Sequence, residues 1–171
     1  MPIRRELLPA MHKILIAADH AGFALKGVLV EYVRGLGYEV EDLGAMVLDG
    51  EDDYPDFVLP LAKRVVSDSG ALGIIIGGSG QGEAMCANRV RGIRAAVFYG
   101  PVTAVGVVDS EGSSAEDEYD TVRLPRKHND ANVLSLGARF VSDDVAREAV
   151  RIFLQTPFSE LPRHMRRIAK F

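Results

Sequence analysis

The sequence predicts a single-domain α/β protein, a three-layer sandwich in which helices cover both faces of a five-stranded parallel sheet. Three observations predict this fold. Five short apolar runs alternate with stretches of helical periodicity. The length of 171 residues is that of one ordinary domain. The hydrophobic share of 47% and the charged share of 26% are typical of globular proteins, which excludes disordered and collagen-like chains.

The first half of the chain predicts three strands and two helices. The run at 13–18, KILIAA, ends at a polar, glycine-containing segment and is typical of a buried parallel strand. Apolar residues then recur at helical spacing over 25–36. Residues 38–43 alternate as in a strand, 56–69 favour a second helix, and 72–76 form the most apolar strand of the chain.

The second half predicts two further strands around a glycine-rich turn. A helix over 83–90 follows the glycines, strands are predicted at 94–99 and 131–136, and an amphipathic helix at 143–154. The segment 109–120 holds six acidic residues and no Lys or Arg, which predicts a solvated, mobile loop. Basic residues gather instead after Pro157, where a solvated helix end is the ordinary explanation.

Composition excludes several classes of protein. The single cysteine, Cys86, cannot form an intramolecular disulfide, and no Cys/His set has zinc-finger spacing. A net charge of −4 gives no general attraction to nucleic acid or anionic membranes. No apolar run is long enough to cross a bilayer, and charged residues interrupt any signal-peptide core near the N-terminus. We therefore expect a cytoplasmic protein without nucleic-acid or membrane partners.

Three polar segments are predicted at the carboxyl edge of the sheet, where open parallel sheets bind ligands. They are Asp19-His20, the glycine loop Gly77–Gly82 and the segment around His128-Asn129. Each alone has an ordinary explanation, as a helix cap with a surface histidine or as a tight turn. Because one edge of a parallel sheet would bring them together, we expect a binding site there.

The glycine loop predicts an anion site. Backbone N–H groups free of side chains, ahead of a helix N-terminus, suit a phosphate or an oxyanion that develops during a reaction. A dinucleotide site fits poorly, since the spacing is G-x-G-x-G and no acid ends the strand at 94–99. A Walker A lysine is missing too. A nucleotide-dependent oxidoreductase is therefore the weakest interpretation.

Four motifs of this sequence, which follow one another in the family's order, resemble those of the type B ribose-5-phosphate isomerases and galactose-6-phosphate isomerase subunits. They are ADHAGFALK at 18–26, DYPDF at 53–57, the glycine loop with ANR at 87–89, and RKHNDANVLSLGAR at 126–139. The resemblance implies a Rossmann-like fold, a homodimer or tetramer, and interconversion of aldose and ketose phosphates without metal or cofactor. It also implies an isomerase domain at 11–171 behind an N-terminal extension at 1–10.

Two departures from the family pattern bear on catalysis and substrate. Many members resemble this chain but carry a cysteine base where it has Gly77. A second branch places a glutamate just after the glycine loop, so the resemblance gives that role to Glu83 and leaves Cys86 as a packed thiol. A first-turn acid favoured by the helix dipole is the ordinary explanation of Glu83. The other departure is an insertion loop at about 101–126, which bears on substrate identity.

The resemblance also implies a set of catalytic roles. Glu83 would move a proton between C2 and C1 of the sugar through a cis-enediol(ate), Ser79 would relay a proton between the two oxygens, and His128 would open the sugar ring. Backbone N–H groups of the loop would hold the oxyanion; the residues are Gly78, Gly80, Gln81 and Gly82.

The remaining implied residues bind substrate. Asn129 would assist His128, and Asp19 and Tyr54 would contact the sugar. The phosphate clamp would consist of His20, Arg139, Arg163 and Arg167. Ligands matching His128 and Arg139 would come from the neighbouring subunit.

Two alternatives remain open in the sequence. The substrate could be a galactose, allose or tetrose phosphate instead of ribose 5-phosphate. The chain could also be a phosphosugar-binding module without activity. Glu83, Ser79 and His128 together argue against such a module, because a sensor needs only the phosphate clamp.

Overall fold

A computed structural model describes residues 12–171, and the extension expected at 1–10 lies outside them. Five parallel strands form one sheet in the order β2-β1-β3-β5-β4. The strands are β1 Lys13–Ala18, β2 Glu39–Asp42, β3 Leu72–Gly77, β4 Ala95–Phe98 and β5 Val133–Gly137. The helices are α1 Phe23–Gly35, α2 Pro55–Ser67, α3 Gln81–Ala87, α4 Asp120–Asn129, α5 Asp143–Gln155 and α6 Pro162–Ile168.

The predicted fold class is confirmed. Each predicted strand lies within two residues of its observed bounds, and the four predicted helices correspond to α1, α2, α3 and α5. Helix α3 ends at Ala87, earlier than its apolar pattern predicts. Helices α4 and α6 were not predicted. Pro125 interrupts the helical signal of α4, and α6 is only 7 residues long, so neither carries a strong apolar period.

Alternate strand residues pack into two cores, one on each face of the sheet, which makes the three layers. One core joins the sheet to α1 and α5 through Ile14, Ile16, Ile74, Ile76, Leu29, Val33, Ala149 and Phe153. The other joins it to α2 and α3 through Leu15, Ala17, Ile75, Leu61, Val65 and Ala87. The sheet is therefore covered on both faces and open to ligands only at its edges.

The acidic loop, residues 109–120, is exposed at most positions, as its composition predicts, but it is tied to the helices. Its last residue, Asp120, begins α4 and is only 6% exposed. Arg123 of α4 pairs with three acids of the loop, Glu116, Asp117 and Asp120. Glu111 pairs with Arg163 of α6. The loop is therefore solvated as expected, and ion pairs connect it to α4 and α6.

None of the helices found between residues 12 and 171 is long and apolar enough to cross a lipid bilayer.

Candidate active site

The carboxyl end of β1 positions the first site residue. Asp19 directly follows the strand and is 6% exposed. Its Oδ1 accepts hydrogen bonds from the N–H groups of Ala21 at 3.0 Å and Gly22 at 3.2 Å, which turns the chain into α1. The carboxylate is thereby fixed at the sheet edge, as an acid that binds sugar hydroxyls requires.

The glycine loop at the carboxyl end of β3 is fixed by its carbonyl oxygens. The buried Ser135 hydroxyl of β5 donates to the Gly80 carbonyl at 2.6 Å, and Ala138 N–H donates to Gly77 at 2.8 Å. Gly80 has a φ of 75°, a left-handed conformation that favours glycine. In the described part of the chain, the N–H groups of Gly78 and Ser79 have no acceptor, whereas the Gln81 N–H donates to the Ser79 Oγ at 3.2 Å. An anion could take their place as acceptor.

Glu83 lies in the first turn of α3, and its side chain is buried against the end of β3. The residue is 4% exposed, and its Oε2 has no hydrogen-bond partner among residues 12–171. A Cβ atom built on Gly77 would overlap the Glu83 carboxylate. The carboxylate therefore occupies the space of a side chain at position 77, where the resemblance places the cysteine of other members. With Glu83 in this position, a side chain at 77 would force the carboxylate to move.

Burial raises the pKa of both candidate bases, Glu83 and Cys86. It raises the pKa of Glu83, and the negative charge of Asp19 adds to this, while backbone hydrogen bonds partly offset it. Burial, followed by the charge of Glu83, also raises the pKa of the Cys86 thiol. A raised pKa makes a carboxylate a stronger base near neutral pH. It makes a thiol less reactive, since only the thiolate is a good nucleophile or base.

His20 is held by Asp52, a residue that was not predicted to belong to the site. Asp52 Oδ1 accepts from the His20 backbone N–H at 3.0 Å and from the ring Nδ1 at 2.6 Å. This hydrogen bond is the largest of the effects that raise the pKa of His20, ahead of the charges of Asp19 and Asp52. In the sequence nothing separates Asp52 from its acidic neighbours Glu51 and Asp53.

Arg139 and Tyr54 flank the glycine loop. A Cβ on Gly78 would lie 3.1 Å from the Arg139 Cζ, and one on Gly82 would lie 2.9 Å from the Tyr54 hydroxyl oxygen. Arg139 thus belongs with its own chain's loop and not, as the resemblance implies, with a neighbour's. The parallel pairing of β3 with β5 explains this, because it sets the residue after β5 beside the loop after β3. We call the following set the carboxyl-edge cluster: Asp19, His20, Asp52, Tyr54, Glu83, Arg139 and the loop 77–82.

The prediction that His128 and Asn129 lie at this same edge is wrong. They are the last two residues of α4, which runs back across the sheet and ends just before β5 begins. Asn132 Oδ1 accepts from the backbone N–H of Arg94, directly before β4. His128 therefore lies near the amino edge, about 16–20 Å from the glycine loop at the strand rise of ~3.3 Å per residue. The error arose because α4 was not predicted.

His128 instead belongs to a second group, which we call the histidine–arginine cluster: His128, Arg163, His164 and Arg167. The rings of His128 and His164 have centroids 4.4 Å apart. Buried His164 accepts from Arg163 Nε at 3.2 Å through its Nε2, so its Nδ1 donates to the Ser159 hydroxyl at 2.6 Å. Arg166, the other arginine of this stretch, is exposed.

Both histidines of this cluster favour the neutral form. Burial is the largest effect that lowers the pKa of His128, and the charges of Lys127 and Arg167 add to it. Burial also lowers the pKa of His164, together with the charges of His128 and Arg163. A neutral His128 can accept a proton from a sugar hydroxyl, as a ring-opening group must.

Asn129 is exposed and lines a cleft of about 820 Å³ beside β4.

Comparison with known proteins identifies the family. The chain matches the Ribose/Galactose Isomerase family over residues 14–115 and 112–171. It is 38% identical to Ribose-5-phosphate isomerase B of Mycobacterium tuberculosis over 91% of this chain and 85% of the relative. It is 40% identical to Probable ribose-5-phosphate isomerase B of Mycoplasma pneumoniae over 93% and 92%. The chain belongs to the ribose/galactose isomerase family.

Solved structures from this family share the fold. Ribose 5-phosphate isomerase from Thermotoga maritima superposes with a TM-score of 0.79 at 38% identity, over 94% of this chain and 97% of that one. Ribose-5-phosphate isomerase B from Mycoplasma genitalium with bound ribulose-5-phosphate gives 0.79 at 36% identity, over 93% of each chain. The expected family and Rossmann-like fold are thus confirmed. The two matched segments, 14–115 and 112–171, overlap at residues 112–115, within the acidic loop.

One group of side chains in this ribose/galactose isomerase family member could hold a cation. Among the described residues, carboxylate and imidazole atoms of Asp19, His20 and Asp52 all lie within 4.8 Å of one another. The hydrogen bond between His20 and Asp52 already explains the approach of two of them. A role in orienting His20 therefore accounts for Asp52 without an ion.

Proposed function

We propose that the chain interconverts ribose 5-phosphate and ribulose 5-phosphate, with Glu83 as the general base. The observation that carries this proposal is the buried Glu83 carboxylate, with one oxygen lacking a partner among the described residues, beside a loop whose N–H groups can bind an anion. The relatives named ribose-5-phosphate isomerase B, and the neighbour with bound ribulose-5-phosphate, support this choice of substrate.

The reaction moves protons and needs no redox partner. Glu83 takes the proton from C2 of the open-chain aldose, and the electron pair of that C–H bond forms the C1–C2 double bond. The carbonyl oxygen on C1 becomes an oxyanion, to which the N–H groups of Gly78 and Ser79 donate. The Ser79 hydroxyl passes the O2 proton to O1. Glu83 then returns its proton to C1, and C2 becomes the carbonyl carbon of the ketose.

The environment of Glu83 suits a base that acts twice. Because burial raises its pKa, the carboxylate binds a carbon-derived proton more strongly than an exposed glutamate does. It must also release that proton to C1, and a neutral carboxylic acid in a buried site is a competent donor. The Asp19 carboxylate accepts from the N–H groups of Ala21 and Gly22, directly before α1, and can also accept from sugar hydroxyls there.

We further propose that two copies of the chain share each active site. Within one chain, Glu83 and His128 belong to clusters at opposite edges of the sheet. A sugar whose ring is opened by His128 and whose C2 faces Glu83 must therefore contact both clusters. A homodimer in which the histidine–arginine cluster of one copy meets the carboxyl-edge cluster of the other satisfies this requirement.

The phosphate clamp follows from the same arrangement. His20, whose raised pKa favours the imidazolium, and Arg139 would bind the phosphate from one copy. Arg163 and Arg167 would complete the clamp from the other, and Asn129 would assist His128 there.

The cytoplasmic location expected from the lone Cys86 remains a prediction.

Purified chain incubated in deuterated water with ribose 5-phosphate tests this function. We expect ribulose 5-phosphate to form equally with and without a chelator such as EDTA. Deuterium should enter C1 in the fraction of turnovers in which the Glu83 proton exchanges with solvent before it is returned. Parallel samples with galactose 6-phosphate, allose 6-phosphate and erythrose 4-phosphate test the substrate. If one of these three is turned over faster than ribose 5-phosphate, that compound is the substrate instead. If the chain binds a sugar phosphate but turns over none of the four, it is a binding module. Loss of activity with EDTA and its return with a divalent ion would overturn the metal-free mechanism.

A further inference from the structure

Arg163, one of the two clamp arginines on α6, has a contact on each of its three guanidinium nitrogens. Its Nε donates to His164 Nε2 at 3.2 Å. Its two terminal nitrogens, Nη1 and Nη2, each contact a different carboxylate oxygen of Glu111. A guanidinium binds a phosphate with these same two forked donors. While Glu111 is in place, Arg163 therefore has no fork to offer to a substrate.

The acidic loop presents Glu111 in a defined turn. Asp109 Oδ1 accepts from the backbone N–H groups of Glu111 at 2.9 Å and Ser113 at 3.0 Å, and Val108 N–H donates to the Ser113 carbonyl at 2.9 Å. The hydrogen bonds of Ser113 are the largest effect that lowers the pKa of Asp109, and the charge of Arg163 adds to it. The turn is thus locally closed and lies against the histidine–arginine cluster.

The arginine and the glutamate differ in how they relate to the family. Arg163 lies well within the second segment of the family match, which runs from 112 to 171. Glu111 lies near the end of the first segment, 14–115, in the loop where the two segments overlap. The ion pair therefore joins a residue of the first segment to a residue of the second.

We propose that Glu111 makes an autoinhibitory contact, in which its carboxylate competes with the substrate phosphate for Arg163. This rests on the proposed function, which assigns Arg163 to the phosphate clamp. A phosphate with nearly two negative charges can displace the single charge of Glu111. Every anion that uses the Arg163 fork must first displace Glu111. The pair therefore weakens the binding of all such anions by the same factor, whatever their intrinsic affinity.

Glu111→Gln tests the competition, because it keeps the size of the side chain and removes its charge. We expect the KM for ribose 5-phosphate and the Ki of inorganic phosphate to fall about three- to tenfold, the range for a half-exposed charged hydrogen-bond pair. The kcat should stay within twofold, because Glu111 contacts no reacting atom. The Ki of ribonate should fall by a similar factor if its carboxylate uses the same fork.

Glu118→Gln is the matched control, since Glu118 lies in the same loop, is exposed and forms no ion pair among the described residues. It should leave KM and both Ki values unchanged. An equal fall in both variants would mean that only the general charge of the loop matters and would overturn the proposal. An unchanged or raised KM in Glu111→Gln would overturn it as well.

Arg163→Ala separates this inference from the proposed function. If Arg163 binds phosphate, its removal raises KM and the Ki of phosphate, and adding Glu111→Gln then has no further effect. A raised KM in Arg163→Ala with no change in Glu111→Gln rejects the competition and leaves the clamp intact. An unchanged KM in Arg163→Ala rejects the clamp assignment and the competition together, while turnover itself still tests the isomerase function.

Discussion

The carboxyl-edge cluster and the histidine–arginine cluster are built in different ways. In the first, strand ends and backbone position the groups: Asp19 follows β1, Glu83 follows the loop after β3, and Arg139 follows β5. In the second, side chains hold one another, as Ser159 holds His164 and His164 holds Arg163. The backbone of a paired sheet cannot move without breaking its ladder, whereas a helix on the surface can shift.

Under the proposed function, this difference separates proton transfer from ring opening, while the phosphate clamp draws on both clusters. Proton transfer between C2 and C1 needs a base held to within a fraction of an ångström, which a sheet edge supplies. Ring opening tolerates more movement and can be performed by a group on a helix. We infer that the family's shared frame fixes the chemistry, whereas the acidic loop of this chain adjusts the capture of substrate.

The largest expected effect lies in the carboxyl-edge cluster. Glu83→Gln keeps the shape of the side chain but cannot accept a proton from carbon, so kcat should fall by about 10²–10⁴-fold. KM should change little, because the phosphate clamp is intact. NMR of C2 proton exchange with deuterated water, on an open-chain substrate analogue, measures this step without the ring opening.

Cys86→Ser is the matched control for Glu83→Gln. Because burial raises the pKa of the Cys86 thiol, the serine variant should keep its activity within a few-fold. Normal exchange in Glu83→Gln combined with none in Cys86→Ser would make the thiol the base.

The part of the site that is predictable from sequence follows the same division. Strand ends and glycine loops have local patterns, and these patterns correctly predict Asp19 and the loop 77–82 at the carboxyl edge. Glu83 is singled out only by the family resemblance. The pairing of Glu111 with Arg163 spans 52 residues, and no local pattern encodes it. His128 was placed at the wrong edge because its helix, with Pro125 inside, has a weak apolar period.

A mixing experiment sharpens the comparison by testing whether the two clusters meet between copies. Glu83→Gln and His128→Ala should each be strongly impaired alone. In a mixed dimer, one of the two sites combines an intact Glu83 with an intact His128. Random mixing after unfolding and refolding should therefore restore about a quarter of the wild-type rate per chain, by the symmetry of a two-fold dimer. No gain over the average of the two variants would mean that each site lies within one copy.

A smaller effect is expected for Asp52→Asn, which tests how His20 is held. The hydrogen bond from His20 raises the pKa of that imidazole, so its loss lowers the pKa and leaves less imidazolium at a given pH. The rise of KM with increasing pH should then begin at lower pH, with KM several-fold above wild type near pH 8. The exposed neighbour Glu51 offers the control Glu51→Gln, whose KM profile should match wild type. Coinciding profiles for Asp52→Asn and wild type would remove Asp52 from the site.

The smallest expected effect is a gain in stability from Glu83→Gln. Because the pKa of Glu83 is higher in the folded protein than in the unfolded chain, the folded state binds more protons at pH values between the two. Stability therefore falls as pH rises from the unfolded value of about 4.5 towards the folded one, and the penalty stays constant above it. Glutamine carries no charge and escapes this penalty.

Thermal melts of both proteins across this pH range measure the difference. An unsatisfied buried group costs about 1–3 kcal/mol, and each kcal/mol shifts Tm by about 2–4 °C in a chain of this length. Glu83→Gln should thus melt a few degrees above wild type at pH 7–8, and the gap should close as pH falls towards 4.5. Cys86→Ser, which removes a neutral thiol from the same helix, should show no gap that depends on pH in this range. A constant difference for Glu83→Gln at all pH values would mean that packing, and not a buried charge, distinguishes the two proteins, and the raised pKa of the base would be wrong.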